Sequence, residues 1–423
     1  MKKNAKKKST KKAPSDPTLQ MVVPLAEFMK LELREFVITK GMEALALMLE
    51  EDRVALCGPA YARQGGGAKR AGSAPGRLVM GGRRVTVRKP RVRDEQGEVE
   101  LPSWSQLASE DPLTERATEQ MLIGVSTRKY ARSLEGTSDD VVESGTSRSP
   151  VSRRFKAATS KQLAKLLESD LSEVPLVAVM LDGIYVDDRV VLVALGVDED
   201  GKKHVLGLWE GATENASVCT ALLNNLVQRG LDAQRSLLFV IDGSPALRKA
   251  IKLVFGDRAL IQRCQVHKRR NVLSHLPEEL HASVGKAIRD AYRSASKKAA
   301  KKRLQGLANQ LEADHPCAAR SLREGLDDTL TMKGMQLPKA LERTLSTTNA
   351  IENLNGGVRR VTRRVTHWRD GSMVLRWTAA ALLEHARGFR RLRGYRGMPK
   401  LIAALRANDR RIDGDIDHQV EVA

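Results

Sequence analysis

The stretch that decides the fold runs from Val174 to Glu210, VPLVAVMLDGIYVDDRVVLVALGVDEDGKKHVLGLWE. It holds three β-rich runs separated by polar turns at Asp187–Asp188 and Asp198–Gly201, a pattern that predicts an antiparallel meander. Downstream, ENASVCTALLNNLVQRG (214–230) reads as a helix and SLLFVIDGSPALRKAIKLVF (236–255) as a buried strand running into a helix. RALIQRC (258–264) reads as a fifth strand and VHKRRNVL (266–273) opens another helix. The order βββ-α-β-α-β-α predicts an α/β domain, a mixed five-stranded sheet with helices on its faces.

Two of these runs end alike. LVAVML leads into Asp182–Gly183 and SLLFVI into Asp242–Gly243. A carboxylate at the end of a buried strand sits at the edge where open α/β sheets place ligands. If the two strands are parallel neighbours, their carboxylates lie about 5 Å apart. Two unpaired anions that close disturb each other's titration, and a divalent cation with hard oxygen ligands, such as Mg²⁺, resolves the repulsion. One Asp-Gly step alone is more simply a turn; two on this topology favour a site. A third acid lies in TTNAIENLNGGVRR (347–360), where Thr347 or Thr348 is a plausible N-cap. On a helix there, Asn349, Glu352, Asn355 or Gly356, and Arg359 share one face, while Ile351, Leu354 and Val358 form an apolar face for docking. The bland alternative for Glu352 is an exposed first-turn acid favoured by the helix dipole.

Outward from this core, residues 25–56 show helical spacing, and 57–80 read as a flexible Gly/Ala/Arg loop. LVMGGRRVTVRKPRVRD then predicts a small basic hairpin around Gly81–Gly82. Residues 113–130 resume helical spacing with a turn at Gly124. After a polar break at 136–147, Ser149 and Pro150 suit an N-cap and first helical position, ahead of Arg153, Arg154 and Lys156. Helix, turn and basic helix suggest a helix-turn-helix; an ordinary helical hairpin is the alternative. Residues 270–345 read as all-helical, and 347–395 as two arginine-rich helices parted near Thr366–Gly371.

The 423 residues carry 72 Lys and Arg against 51 Asp and Glu, a net charge of +21. An excess this large favours a polyanion over a small anionic metabolite, which needs only a local basic site. Residues 1–20 hold seven lysines and one acid and read as a disordered basic tail. Between 359 and 396 stand eleven arginines opposed only by Asp370 and Glu384, a bias that suits phosphate contact. Four cysteines exclude a disulfide scaffold and fit a reducing compartment. No apolar run is long enough for a transmembrane helix, and no apolar segment follows the first lysines as a secretory signal requires.

The chain resembles the Mutator-type transposases of bacterial insertion sequences, the IS256 family. The resemblance rests on LDGIYV (181–186), FVIDGSPALRKAI (239–251), QRCQVHKRRN (262–271) and TTNAIENLNGGVRRVTRR (347–364), and spans about residues 25 to 395. It implies a ribonuclease-H-like catalytic domain interrupted by an all-helical insertion and preceded by a mostly helical DNA-binding region. It also implies a catalytic and metal-binding triad of Asp182, Asp242 and Glu352 that works with two Mg²⁺ ions, Mn²⁺ being able to substitute. Arg359 matches a basic residue that follows the Glu in many such enzymes. Arg360, Arg153, Arg154, Cys264, His267, Lys268 and Arg269 are the further expected DNA contacts. The implied partners are double-stranded DNA, as terminal inverted repeats and target, and a second copy in a homodimeric DNA complex, in the bacterial cytoplasm at the nucleoid with no membrane.

The expected division is a basic tail (1–20), an N-terminal helical and hairpin DNA-binding region (21–112) and a helix-turn-helix-like domain (113–172). The catalytic core comes in two parts (173–269 and 346–400) around the helical insertion (270–345), with a C-terminal tail (401–423). Cys264 and His267 have metal-ligand spacing, but Cys57, Cys219 and Cys317 are isolated, so a complete zinc site lacks ligands and a structural or DNA-positioning role is expected. Trp209, Trp368 and Trp377 are expected to pack rather than stack on bases. The competing classes are a catalytically inactive or co-opted transposase that only binds DNA, and a nuclease or resolvase that hydrolyses without strand transfer. The complete acid set with Arg359 favours the enzyme.

Overall fold

The computed structural model describes residues 33–61, 67–109, 112–134 and 141–422. The expected lysine tail, the start of the first expected helix and part of the 136–147 break lie outside the described residues. The chain forms two compact units: one comprises the described residues up to Met121 together with Val125–Phe155, the other Leu122–Gly124 with the described residues from Lys156.

In the first unit, helix α1 (Leu33–Cys57) is followed by strands β1 (Lys69–Met80) and β2 (Arg83–Asp94). These pair antiparallel across Gly81–Gly82, whose φ values of 59° and 81° suit the tight hairpin turn. The expected loop is therefore strand from Lys69 onward. Its own sequence alternates weakly, and it is held by register with β2, where Leu78 faces Val85 and Gly76 faces Val87. A Cβ at Gly76 would stand 2.2 Å from the Trp104 ring, so only glycine lets the indole cover the strand. Strand β3 (Gly97–Val99), helices α2 (Pro102–Ser109) and α3 (Pro112–Ile123), and strand β4 (Glu143–Ser144) complete the framework, with β3 and β4 both pairing with β2. Leu45, Leu49, Val85, Val92 and Leu101 form the core of this unit. The helical spacing expected to run on past Gly124 to 130 gives only one 3₁₀ turn (Ala131–Ser133), because the polar segment after Gly124 (φ 109°) has no apolar stripe to bury. Among the described residues α3 and helix α4 (Arg148–Glu168) are separated by 124–147 and do not form a tight helix-turn-helix.

In the second unit, β5 (Leu176–Val186), β6 (Arg189–Asp198) and β7 (Lys203–Gly211) form the expected meander. Helix α5 (Ala216–Gln228), strand β8 (Leu237–Ile241), helix α6 (Pro245–Phe255), strand β9 (Ala259–Arg263) and helix α7 (Gln265–Leu273) follow in the expected order. The sheet runs β7-β6-β5-β8-β9, antiparallel through the meander and parallel from β5 to β8 to β9. It is a mixed sheet buried on both faces, which is why its strands read as unbroken apolar runs. Val179 and Leu181 meet Leu222 and Leu226 of α5 and Ile251 of α6 on one face.

Helices α8 (Glu278–Tyr292), α9 (Lys297–Leu311), α10 (Pro316–Arg323), α11 (Thr331–Gly334) and α12 (Lys339–Leu345) follow, without a strand; α8 to α10 surround a separate core that includes Ile288, Leu304 and Leu322, while Met332 of α11 and Leu341 and Leu345 of α12 join the core of the sheet. Helix α13 (Asn349–Thr362) and helix α14 (Gly371–Ala386) then return to the sheet, where Ile351, Leu354, Val374 and Leu382 pack with Met180 on its other face. The expected C-terminal tail is instead part of helix α15 (Met398–Val422). Its buried Leu401 and Leu405 join the core, and the Asp409 carboxylate accepts from the Ser236 backbone N–H (2.7 Å) and Arg258 (3.0 Å). The charged residues around those two leucines hide the short apolar stripe in the sequence. Among the described residues no helix is long and apolar enough to cross a membrane.

Candidate active site

Asp182 belongs to β5, which pairs in parallel with β8, Met180 opposite Val240. Asp242 follows the last residue of β8, so two strands of one register bring both acids to the same sheet edge. Asp242 turns back on its own chain, its Oδ1 accepting the Ser244 N–H at 2.9 Å, and Ser244 caps α6 ahead of Pro245. Gly243 has φ 118°, and a Cβ there would fall 2.1 Å from Arg263 Nε, so both backbone and neighbour demand glycine.

Glu352 enters from α13. Its expected cap is Thr348, but the hydroxyl does another job: it donates to Glu352 Oε1 at 2.5 Å. His267 Nδ1 stands 3.3 Å from the same hydroxyl and 3.7 Å from Glu352. One turn beyond Glu352, the fully buried Asn355 donates its Nδ2 to Asp182 Oδ2 at 2.7 Å. Its Oδ1 is buried with no hydrogen-bond partner.

Burial pushes the Asp182 carboxyl up to about 6; the Asn355 hydrogen bond opposes the shift, Asp242 and Glu352 add to it, and His267 opposes it. These couplings place the three predicted acids in one electrostatic neighbourhood. Desolvated hard oxygens with mutual repulsion are a donor set that fits a divalent cation. The His267 imidazole is raised, first by its hydrogen bond with Cys264, against desolvation, and further by the negative neighbours. Burial pushes the Cys264 thiol up, but hydrogen bonds with His267 and Thr348 outweigh it, leaving the thiol below its ordinary range.

The other expected residues divide by exposure. Arg359 and Arg360 are exposed in the last turn of α13, and Arg153 is exposed on α4. Arg154 is half-buried and donates to the Gly145 carbonyl at 3.4 Å. Cys264 (0% exposed) and Lys268 (1%) cannot offer the expected DNA contacts. Lys268 Nζ is engaged by the Glu324 carbonyl and by its carboxylate at 3.3 Å, because α7 turns inward against the helical block. Arg269 is half-buried. Trp377 is buried, and Trp209 and Trp368 pack at the margins of the two sheet cores.

Two residues near the acids escaped sequence reading. Glu214 lies just before the α5 cap Asn215 and looks like a turn acid, yet its Oε2 would be 3.0 Å from a Cβ on Gly183. Burial raises its pKa, a Ser244 hydrogen bond lowers it, Asp242 raises it, and its Oε1 has no partner. Arg263, 7% exposed, reaches behind Gly243 to the Glu324 carboxylate at 2.8 Å. Only the fold juxtaposes these groups; no local pattern marks either.

A family model described as "Transposase, Mutator family" matches residues 27–391. Among curated relatives, the transposase for insertion sequence element ISRM3 of Rhizobium meliloti is 33% identical over 185 residues, covering 44% of this chain and 45% of that one. The ISRM5 transposase of the same organism is 29% identical over 360 residues, 83% of this chain and 87% of its own. The transposase for IS256 in transposon Tn4001 of Staphylococcus aureus is 27% identical over 270 residues, 60% and 64% of the two chains. The matched stretch spans between 45% and 61% of the length of the first curated relatives.

Proposed function

The chain belongs to the Mutator family of transposases, and from that premise we propose that it is a DNA transposase that binds the terminal inverted repeats of an insertion sequence, cuts its ends and joins them to target DNA. The observation that carries this reading is that Asp242 and Glu352 both push up the buried Asp182 carboxyl, with Asp182 on β5, Asp242 just past β8 and Glu352 on α13. On this reading the sheet and α13 form a ribonuclease-H-like core and the helices between α7 and α13 its insertion.

Asp182, Asp242 and Glu352 would hold two Mg²⁺ ions, with Mn²⁺ able to substitute, which supply activation of the attacking oxygen and stabilisation of the leaving oxygen at a phosphodiester. The chain's own residues do the rest. Asn355 holds Asp182 with a donor that favours its ionised form, and Thr348 fixes the Glu352 carboxylate. Arg359 and Arg360, exposed about two turns past Glu352, hold phosphates of the transposon end. Arg153 of the first unit contributes to end binding, two copies act together on DNA, and the work is done in the bacterial cytoplasm at the nucleoid.

Asp182→Ala, Asp242→Ala and Glu352→Ala each abolish Mg²⁺-dependent cleavage and joining of an end-bearing duplex while leaving end binding nearly intact. Joining by any of them removes that residue from the triad. End binding without joining by the wild type would instead identify a DNA-binding protein that has lost the chemistry.

A further inference from the structure

The groups that converge on Glu352 from the start of α7 form a donor set unlike the three carboxylates. Cys264 Sγ, a His267 ring nitrogen and a Glu352 carboxylate oxygen all lie within 4.8 Å of one another. Ligand atoms around a tetrahedral Zn²⁺ bonded at about 2.0–2.3 Å stand roughly 3–4 Å apart, so small side-chain rotations close the set on one ion. Cys264 is fully buried and forms the floor, while the His267 and Glu352 side chains, 27% and 32% exposed, leave an entry and an open fourth position.

We propose that Cys264, His267 and Glu352 form a binding site for a soft divalent cation, Zn²⁺ being the ion of matching chemistry, and that filling it draws Glu352 away from Asp182 and Asp242. The site is built by two helix starts. Cys264 is the N-cap of α7 with His267 three residues on, and Glu352 lies in the first turn of α13. The Gln265 N–H donates to the Ser346 carbonyl at 3.0 Å and ties the two starts together. A cysteine at a helix N-terminus is placed where a thiolate is favoured. Thiolate and imidazole select Zn²⁺ over Mg²⁺, which prefers an all-oxygen shell. The Cys-x-x-His spacing supplies two ligands, and the fold supplies the third from a distant helix. Binding releases the Cys264 proton to solvent as the metal–sulfur bond forms. The site stands on its own geometry; the withdrawal of Glu352 rests on the transposase reading.

Co²⁺ added to the full-length protein is the probe. One ion per chain binds with a thiolate-to-cobalt charge-transfer absorption, which equimolar Zn²⁺ removes and a large excess of Mg²⁺ does not. Cys264→Ser loses the absorption and Cys317→Ser, an exposed control, keeps it. Glu352→Gln, a same-shape change at a partly exposed position, weakens Co²⁺ binding by roughly tenfold or more, since losing even an outer-shell partner has that effect. No absorption in the wild type, its retention in Cys264→Ser, its removal by Mg²⁺, or unchanged affinity in Glu352→Gln each overturns the site. Zn²⁺ suppressing Mg²⁺-supported joining by the wild type supports the withdrawal of Glu352, and an undiminished rate with the site full overturns it. Cobalt absorption in a protein that joins no ends keeps this site and removes the transposase reading.

Discussion

Replacing Asp182 by asparagine removes a negative charge from a place where the fold holds it at a disadvantage. Burial, opposed by Asn355 and increased by Asp242 and Glu352, moves the carboxyl from 3.8 up to about 6. The native state therefore keeps a proton that the unfolded chain has already lost between about pH 4 and pH 6. Stability falls as pH rises through that window and stays lower above it. A shift of about two units, at about 1.4 kcal/mol each, corresponds to about 3 kcal/mol. Asparagine has the same shape, and its Oδ1 can accept the Asn355 Nδ2–H that Asp182 accepts at 2.7 Å. Asp182→Asn is thus expected to be more stable than wild type by up to about 3 kcal/mol at pH 8 without divalent cation, and nearly equal at pH 4. Denaturant unfolding in the presence of chelator, at pH 8, 6 and 4, measures the gap. Adding Mg²⁺ should then stabilise the wild type by mass action and leave the variant nearly unchanged. A variant less stable than wild type at pH 8, or a gap that ignores pH, would show that Asp182 is not a desolvated anion. Equal Mg²⁺ stabilisation of both would remove it from the cation site.

Asn355→Leu removes the donor that favours ionised Asp182, so the carboxyl climbs further, by roughly one unit for a bond worth about 1.5 kcal/mol. The pH at which Mn²⁺ binding is half-complete, followed by the paramagnetic signal of free Mn²⁺, should move upward by the same amount. Gly243→Ala forces a side chain into φ 118° and against Arg263 Nε, and should lose more than about 2 kcal/mol in denaturant unfolding. Arg359→Ala and Arg360→Ala should each weaken DNA binding uniformly across sequences and reduce the salt slope by about one, read from binding isotherms at several salt concentrations.

The half of the chain that holds the five-stranded sheet was legible because its strands are buried on both faces. Apolar runs such as LVAVML and SLLFVI admit few other readings; Asp242–Gly243 marks the end of β8, whereas Asp182–Gly183, expected at a strand end, lies inside β5 just past its pairing with β8, because β6 continues to pair with β5 to Val186. Helix α13 was legible down to its faces, with Ile351, Leu354 and Val358 buried and Arg359 exposed. The N-terminal half was harder. Strand β1 carries Lys69, Arg70, Gly72 and Pro75 and takes its extended form from its partner, so no periodicity announces it. Cys264 and Lys268 were misjudged for a related reason. QRCQVHKRRN has the composition of a nucleic-acid-binding surface, but the first turn of α7 faces inward, and a buried lysine is tolerable only because Glu324, far along the chain, meets it.

That inward turn also bears on how a long helical block can interrupt the site without disturbing it. The chain leaves the sheet at Arg263 and must return to the same edge at Thr348. Its return is stitched near the exit: Gln262 donates to the Thr329 carbonyl at 3.0 Å and accepts the Met332 N–H at 2.9 Å, and Gln265 binds Ser346 through its backbone at 3.0 Å. Arg263 and Lys268 both converge on Glu324. The return of α13 to the sheet is therefore tied by a few polar contacts at the neck of the block, and α8 to α10 pack around a core of their own. Because the Gln262 contacts are buried, breaking one leaves a desolvated group unpaired, at a penalty of about 1–3 kcal/mol. Changes in the helices beyond the neck have no such route to the three acids. The neck, more than the length of the insertion, decides whether the third carboxylate meets the other two.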